Sequence, residues 1–319
     1  MTGAIWAAAA LAIANAGPAP FPLQALLKDS EAARTFDYWR LRDGRTPAQV
    51  LALGDSVTKA SRDGACQTDA EREVVAGLRT AAEASSGGQW RADRDAGASA
   101  VLSYRAKQAR ILAHQPSGDP ELDAAMAPIL ADWGAASTSR ARALLKRQAA
   151  DQLPMQAMLI ASGNPRLSDG VATRLFASLE QDECRNSHIL SGWLKTEVAR
   201  RGWFTPSRDG KSAAEAAFII TQHADHDVAF QKNVLTRLEK LLPSGDLDRS
   251  QYAYLWDRIA THEDRPQRYG SQSKGCIGGK IELWPIEDPE RVDERRARFG
   301  MPPLSEYRST LAKLSRCGA

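Results

Sequence analysis

Thr68-Asp69-Ala70-Glu71-Arg72-Glu73-Val74-Val75-Ala76-Gly77-Leu78 decides the fold class. Thr68 and Glu71 stand at the spacing where a threonine hydroxyl and a glutamate carboxylate satisfy each other's orphan backbone N–H groups at a helix start. Val74, Val75 and Leu78 then recur with helical period. The same grammar repeats along the chain. Thr46-Pro47 pairs a cap with a proline suited to the first helical position. Asp119-Pro120 precedes Leu122, Met126, Ile129 and Leu130, and Thr138 or Ser139 opens a basic helix through Arg140, Arg142, Lys146 and Arg147. Ser212-x-x-Glu215 and Asp248-x-x-Gln251 read as further capping boxes, and Gly202 after Arg200-Arg201 reads as a helix stop. Breaks fall at Ser85-Ser86-Gly87-Gly88, Gln115-Pro116-Ser117-Gly118 and Gly163-Asn164-Pro165.

The expectation is therefore a mainly α protein. An irregular helical bundle or helical-repeat-like region over 17–163 precedes a C-terminal α domain over 164–319 that carries one two-stranded hairpin. The hairpin is read from Gln267–Gln272 and Lys280–Ile286, flanking the glycine-rich turn Gly275–Gly279. Asp288-Pro289 would cap a charged helix ending at Gly300, and Leu304–Leu314 would be the last helix.

The chain has 319 residues, 43% hydrophobic and 25% charged, with a net charge of +3. That composition excludes collagen, full disorder and a multi-span membrane protein. A charge of +3 over this length also excludes a nucleic-acid binder that works by bulk charge. The first 16 residues carry no charged side chain, and Ala4–Ala14 followed by Ala14-Asn15-Ala16 reads as a signal peptide over 1–16 with a small-x-small cleavage pattern. The run is too short to span a bilayer. The expected location is periplasmic or secreted, with no stable membrane span after cleavage. Four cysteines, Cys66, Cys184, Cys276 and Cys317, form no C-x-x-C pair. An even count in an oxidising compartment permits two disulfides in three connectivities. Cys276–Cys317 would staple the C-terminal tail, leaving Cys66–Cys184.

Chemistry concentrates in the later part. Gln222-His223-Ala224-Asp225-His226-Asp227 crowds imidazoles and carboxylates into a helix junction. A His–Asp contact there could raise basicity for general base catalysis, His223 with His226 or Asp227 could bind a metal, or the same residues could simply cap two helices. Tyr254, Asp257 and Arg258 fall on one helix face, able to orient a substrate carboxylate or to brace the hairpin. Gln267, Tyr269 and Gln272 could line a polar pocket or satisfy buried backbone. His114 reads as a C-terminal helix cap, and His188 as packing. No nucleophile elbow, P-loop, Rossmann glycine pattern or H-E-x-x-H occurs.

Taken in order, Gln222-His223-x-Asp225, Phe230-Gln231, Tyr252-Ala253-Tyr254-Leu255-x-Asp257-Arg258, Gln267-x-Tyr269-Gly270-Ser271-Gln272, Pro285-Ile286-Glu287-Asp288-Pro289 and Arg295-Arg296 through Gly300-x-Pro302-Pro303-Leu304 resemble a bacterial family, domain-of-unknown-function family six-six-two-four, over roughly 185–307. Ser271 stands where the family pattern has Thr. His226 and His262 lie outside that pattern, which shifts weight away from a histidine metal site; no metal or cofactor is expected. The resemblance implies a shared domain and no activity.

Two functions follow as expectations. One is an exported binding or interaction protein of the cell envelope, with a protein or small polar ligand as partner and a polar pocket formed by Gln222, Tyr254, Gln267, Tyr269 and Gln272. The other is a hydrolase-like enzyme in which His223 is the general base, Asp225 orients it, and Asp257, Arg258 and Tyr269 position the substrate. They differ in whether His223 and the Gln267–Gln272 stretch meet in an open cleft or are spent on structural bonds.

Overall fold

A computed structural model describes residues 21–60, 65–315, 317 and 318. The apolar N-terminal run lies outside the described residues. Among them the chain forms 14 α-helices and one two-stranded antiparallel sheet. In order, the helices are α1 (Leu23–Leu26), α2 (Ser30–Thr35), α3 (Pro47–Ala60), α4 (Asp69–Glu83), α5 (Gly87–Leu112), α6 (Pro120–Ala135), α7 (Ser139–Ser162) and α8 (Asp169–Arg201). The series continues with α9 (Pro206–Asp209), α10 (Lys211–Gln222), α11 (Val228–Leu241), α12 (Arg249–His262), α13 (Val292–Arg298) and α14 (Leu304–Leu314). Strands β1 (Ser273–Ile277) and β2 (Lys280–Leu283) stand between α12 and α13.

The chain divides into two compact units, one comprising 1–110 and 157–182, the other 111–156 and 183–319. In the first, the Thr68–Glu71 capping box is complete: Glu71 N donates to Thr68 Oγ1 at 3.2 Å, and Thr68 N to Glu71 Oε2 at 2.7 Å. Val74, Leu78 and Ala81 on the inward stripe of α4 pack with Tyr38, Val50 and Trp90 in the unit's core. Arg42 Nη1 donates to the carbonyls of Ala81, Ala82 and Ala84, satisfying the orphan acceptors at the end of α4. Tyr38 presses its ring onto Gly77 so closely that a Cβ there would overlap the ring. A glycine in a helix interior costs about 1 kcal/mol, so contact with the buried ring explains its presence.

In the second unit, Asp227 caps α11 through Phe230 N at 2.8 Å, and Asp248 caps α12 through Ser250 N at 2.9 Å. Two expected boxes differ in detail. The α10 helix starts at Lys211, after Gly210 at φ 88°, so Ser212 lies inside the helix and caps nothing. Gln251 is buried, and the start of α12 rests on Asp248 alone.

The hairpin is also shifted. Cys276 pairs with Ile281 and Ile277 with Lys280 across the two-residue turn Gly278-Gly279. Gln267–Gln272 is a loop, meeting the hairpin's continuation through a parallel bridge from Gln267 to Ile286 and through Trp284 N, which donates to Gln272 O at 3.3 Å. Gly270 takes φ 65° there, which breaks an extended run. Cys276 is bonded to Cys317, 41 residues on, which ties α14 to the ribbon and removes about 4 kcal/mol of unfolded-chain entropy. Cys66 and Cys184 are disulfide-bonded as well, so no cysteine is free.

Gly77→Ala is expected to cost about 1–3 kcal/mol by overpacking against Tyr38. Gly192→Ala, in the exposed interior of α8 with open space around its Cβ, is expected to be neutral or mildly stabilising. Equal melting midpoints for the two variants would contradict this account.

Candidate functional site

The residues of interest separate into a sealed half and an exposed half. The sealed half is the loop 267–272. Asp257, on the inward face of α12 and fully buried, accepts backbone N–H bonds from Arg268 at 2.7 Å, Tyr269 at 3.0 Å and Ser271 at 2.9 Å. Burial pushes the Asp257 carboxyl up, and those donors pull it back without cancelling the rise. Gln267, also fully buried, closes the loop on itself. Its Oε1 accepts from Gln272 N at 2.8 Å, and its Nε2 donates to the carbonyls of Gln272 and Trp284, each at 2.9 Å.

The loop's own carbonyls are met from outside. Arg296, fully buried, donates to Tyr269 O at 2.5 Å and Pro302 O at 2.6 Å, Arg295 Nε donates to Arg268 O at 2.7 Å, and the Tyr307 hydroxyl donates to Ser271 O at 2.9 Å. The Tyr269 ring packs with Ala253, Met301, Trp256 and Phe299, and burial pushes its phenol up to about 12. Gln272 stays half-buried, its side-chain amide on Ser271 Oγ at 3.1 Å. Asp257, Gln267 and Tyr269 thus hold backbone and core.

The exposed half is the corner between α10 and α11. His223 is the last residue of α10's cap, and its Nδ1 lies 2.9–3.0 Å from the carboxylate of Asp151 on α7. Asp151 has only 2% of its side chain exposed, while the imidazole keeps 21%. Burial by itself would lower the imidazole, but the hydrogen bond and charge of Asp151 outweigh it and raise His223 above the usual histidine range. Asp225 faces a different partner. Arg258 clamps it with two bonds, Nε to Oδ1 at 2.7 Å and Nη2 to Oδ2 at 2.6 Å, and Gln231 Nε2 adds a third at 3.1 Å. Despite burial, these partners hold the Asp225 carboxyl below its ordinary value. Gln231 also ties its amide to the carbonyls of Thr221 and Gln222, locking the corner. His226 stacks on His188 with ring centres 3.6 Å apart, and its two nitrogens face Ser187 Oγ at 3.3 Å and Ser191 Oγ at 3.2 Å. Burial and the neighbouring imidazole lower it.

Residues 169–314 match a family of unknown function, DUF6624. The DUF6624 region therefore contains α8 from its first residue through the last helix, including His223, Asp225, Asp257, Arg258 and the loop, while Asp151 stands outside it. Searches of curated proteins and of solved structures find no match to the chain.

Sequence reasoning paired His223 with Asp225; the imidazole's carboxylate is Asp151, 72 residues earlier. Its signal was an acid flanked by Ala149 and Leu153, both fully buried. A buried acid in a helix demands a partner. Tyr254 lines a separate cleft of about 580 Å3 between α10 and α12, with Phe218, Leu247 and Gln251. His114 sits at φ 57° after α5, where its ring packs edge-on to Trp133.

A raised histidine stabilises the fold fully below its unfolded value of about 6.5, and the contribution fades as pH climbs through the folded value. The destabilisation caused by His223→Ala is therefore expected to be greater at about pH 6 than at about pH 8.5. His226 is common to both proteins, so its opposite trend drops out of the difference. Melting midpoints of the two proteins across this range check it; a gap that widens with rising pH would refute the assignment. Asp257→Asn, which sets an amide against backbone donors, is expected to cost about 2–4 kcal/mol, against under about 1 kcal/mol for Gln272→Ala.

Proposed function

We propose that this is an exported binding protein of the cell envelope, whose DUF6624 region presents a cleft to a small polar ligand or a protein segment. The observation that carries this reading is the use made of Asp257 and Gln267: every oxygen and nitrogen of their side-chain carboxylate and amide is committed to main chain, in the loop and at Trp284 beside it. Groups so committed position nothing for a reaction. Tyr254, by contrast, faces the cleft of about 580 Å3, within the size range of ligand sites. Bonding of all four cysteines supports an oxidising compartment, and no helix among the described residues is long and apolar enough to cross a membrane.

A second reading rests on His223 and Asp151. A histidine held through Nδ1 by a buried carboxylate has the tautomer and basicity of a general base acting through Nε2. Arg258 stands close enough for its charge to act on the ring. In this reading Arg258 and Asp225 flank the substrate, and water is the nucleophile.

The two are separated with the full-length oxidised protein. For the binding reading, cell fractionation recovers the chain outside the cytoplasm, its gel mobility changes on reduction, and an envelope extract raises its melting midpoint unless Tyr254 is replaced by Ala. Turnover in an ester, phosphoester and peptide screen that falls about 100-fold or more in both His223→Ala and Asp151→Asn would replace it with the second.

A further inference from the structure

Gln251 has the spacing of a capping box, yet its amide does not return to the start of α12. Asp248 acts there alone, its Oδ1 accepting from Ser250 N at 2.9 Å and from Ser250 Oγ at 2.7 Å. The Gln251 side chain instead lines the cleft of about 580 Å3 between α10 and α12. The residue is only 7% exposed, and its amide has no hydrogen-bond partner among the described residues. Gln267, also buried, spends its amide on three main-chain groups. An amide withdrawn from water and left unpaired is costly, and the cost is removed by a partner that enters the cleft.

The rest of the lining defines that partner. Ala214, Phe218 and Leu247 are buried and supply hydrocarbon and an aromatic ring. Tyr254, three residues along α12 from Gln251 and on the same face, adds a phenol that burial pushes up, so it stays protonated. Charge does not select here. Lys211, Glu215 and Asp248 are the charged lining, all three at exposed positions, and Asp248 already serves the helix start. The unpaired polar group behind them is neutral, with an acceptor oxygen beside a donor nitrogen. A group that meets both must itself present a donor beside an acceptor. A primary carboxamide does so; an ester or a tertiary amide has no N–H, and an ammonium group has no acceptor.

We propose that the cleft binds a small neutral ligand made of a primary carboxamide and an apolar body, the carboxamide paired with Gln251 and the body against Phe218 and Leu247. This names the ligand class for the binding reading above and rests on that reading. Two hydrogen bonds to a buried, neutral amide supply the specificity, and the apolar walls supply the contact area.

Titration calorimetry of the full-length oxidised protein with phenylacetamide, its N,N-dimethyl amide, methyl phenylacetate and phenethylamine tests it. Saturable phenylacetamide binding is expected, with each of the other three at least about tenfold weaker. Gln251→Leu, close in volume, is expected to erase that preference while holding or raising the melting midpoint, because it removes an unpaired buried amide; a glutamine kept only for structure would lose stability on the same change. The proposal is overturned by no saturable phenylacetamide binding up to about 10 mM, or by any of the other three binding as tightly. It is equally overturned if the preference persists in Gln251→Leu or the midpoint of that variant falls by about 3 °C or more. An envelope extract that raises the midpoint through Tyr254 while phenylacetamide is silent would end the carboxamide assignment and leave the binding reading standing; silence of both would end both.

Discussion

The bond set around Asp257 is the constraint on which the C-terminal architecture depends. A loop with a left-handed glycine cannot satisfy all its N–H groups by helix or sheet, yet Gln267, Tyr269, Gly270 and Ser271 are buried. One carboxylate from α12 accepts three of those N–H groups, and the amide of Gln267 takes a fourth. Arg295, Arg296 and Tyr307 supply the carbonyls with donors from the segments that follow. Asp257 comes from α12, Arg295 and Arg296 from α13 and Tyr307 from α14, so the loop organises these three helices around itself. Asp257, Gln267, Arg295, Arg296 and Tyr307 of this chain all serve that requirement.

The corner at 222–231 obeys the same accounting with a different outcome. Gln231 and Arg258 absorb Asp225, and Asp227 goes to a helix start. His223 alone is matched to an acid on a helix distant in sequence and keeps part of its ring in solvent. Its Nδ1 is spent on Asp151, and the part of the ring that meets solvent is where chemistry remains available. That contrast separates His223 from Asp257, which sequence reasoning had placed in one site.

Much of the helical framework was legible because its signals are local. Thr68 and Glu71 meet each other within one turn, Asp119 precedes Pro120, and Leu304–Leu314 begins and ends where the pattern does. Where local signals competed, geometry chose. Ser212 resembled a cap, but Gly210 had already opened α10 with its positive φ. Gln267–Gln272 resembled a strand, but its N–H groups found a carboxylate before they found a partner strand.

By itself the sequence determined the helical class, the capped starts of α3, α4, α6 and α11 and the final helix, and among three cysteine connectivities it favoured Cys276–Cys317, the bond the structure forms. The helical features depend on residues within a turn of one another. Only the tertiary structure decided that Asp151 serves His223, that Asp225 serves Arg258, that Asp257 and Gln267 hold backbone, and that Arg72 and Arg174 share Glu73. The reason is physical: a charged side chain is assigned by whichever group burial brings within about 3 Å, and for Asp257, Asp225, His223 and Arg174 that group lies from 11 to 101 positions away, where chain periodicity carries no information.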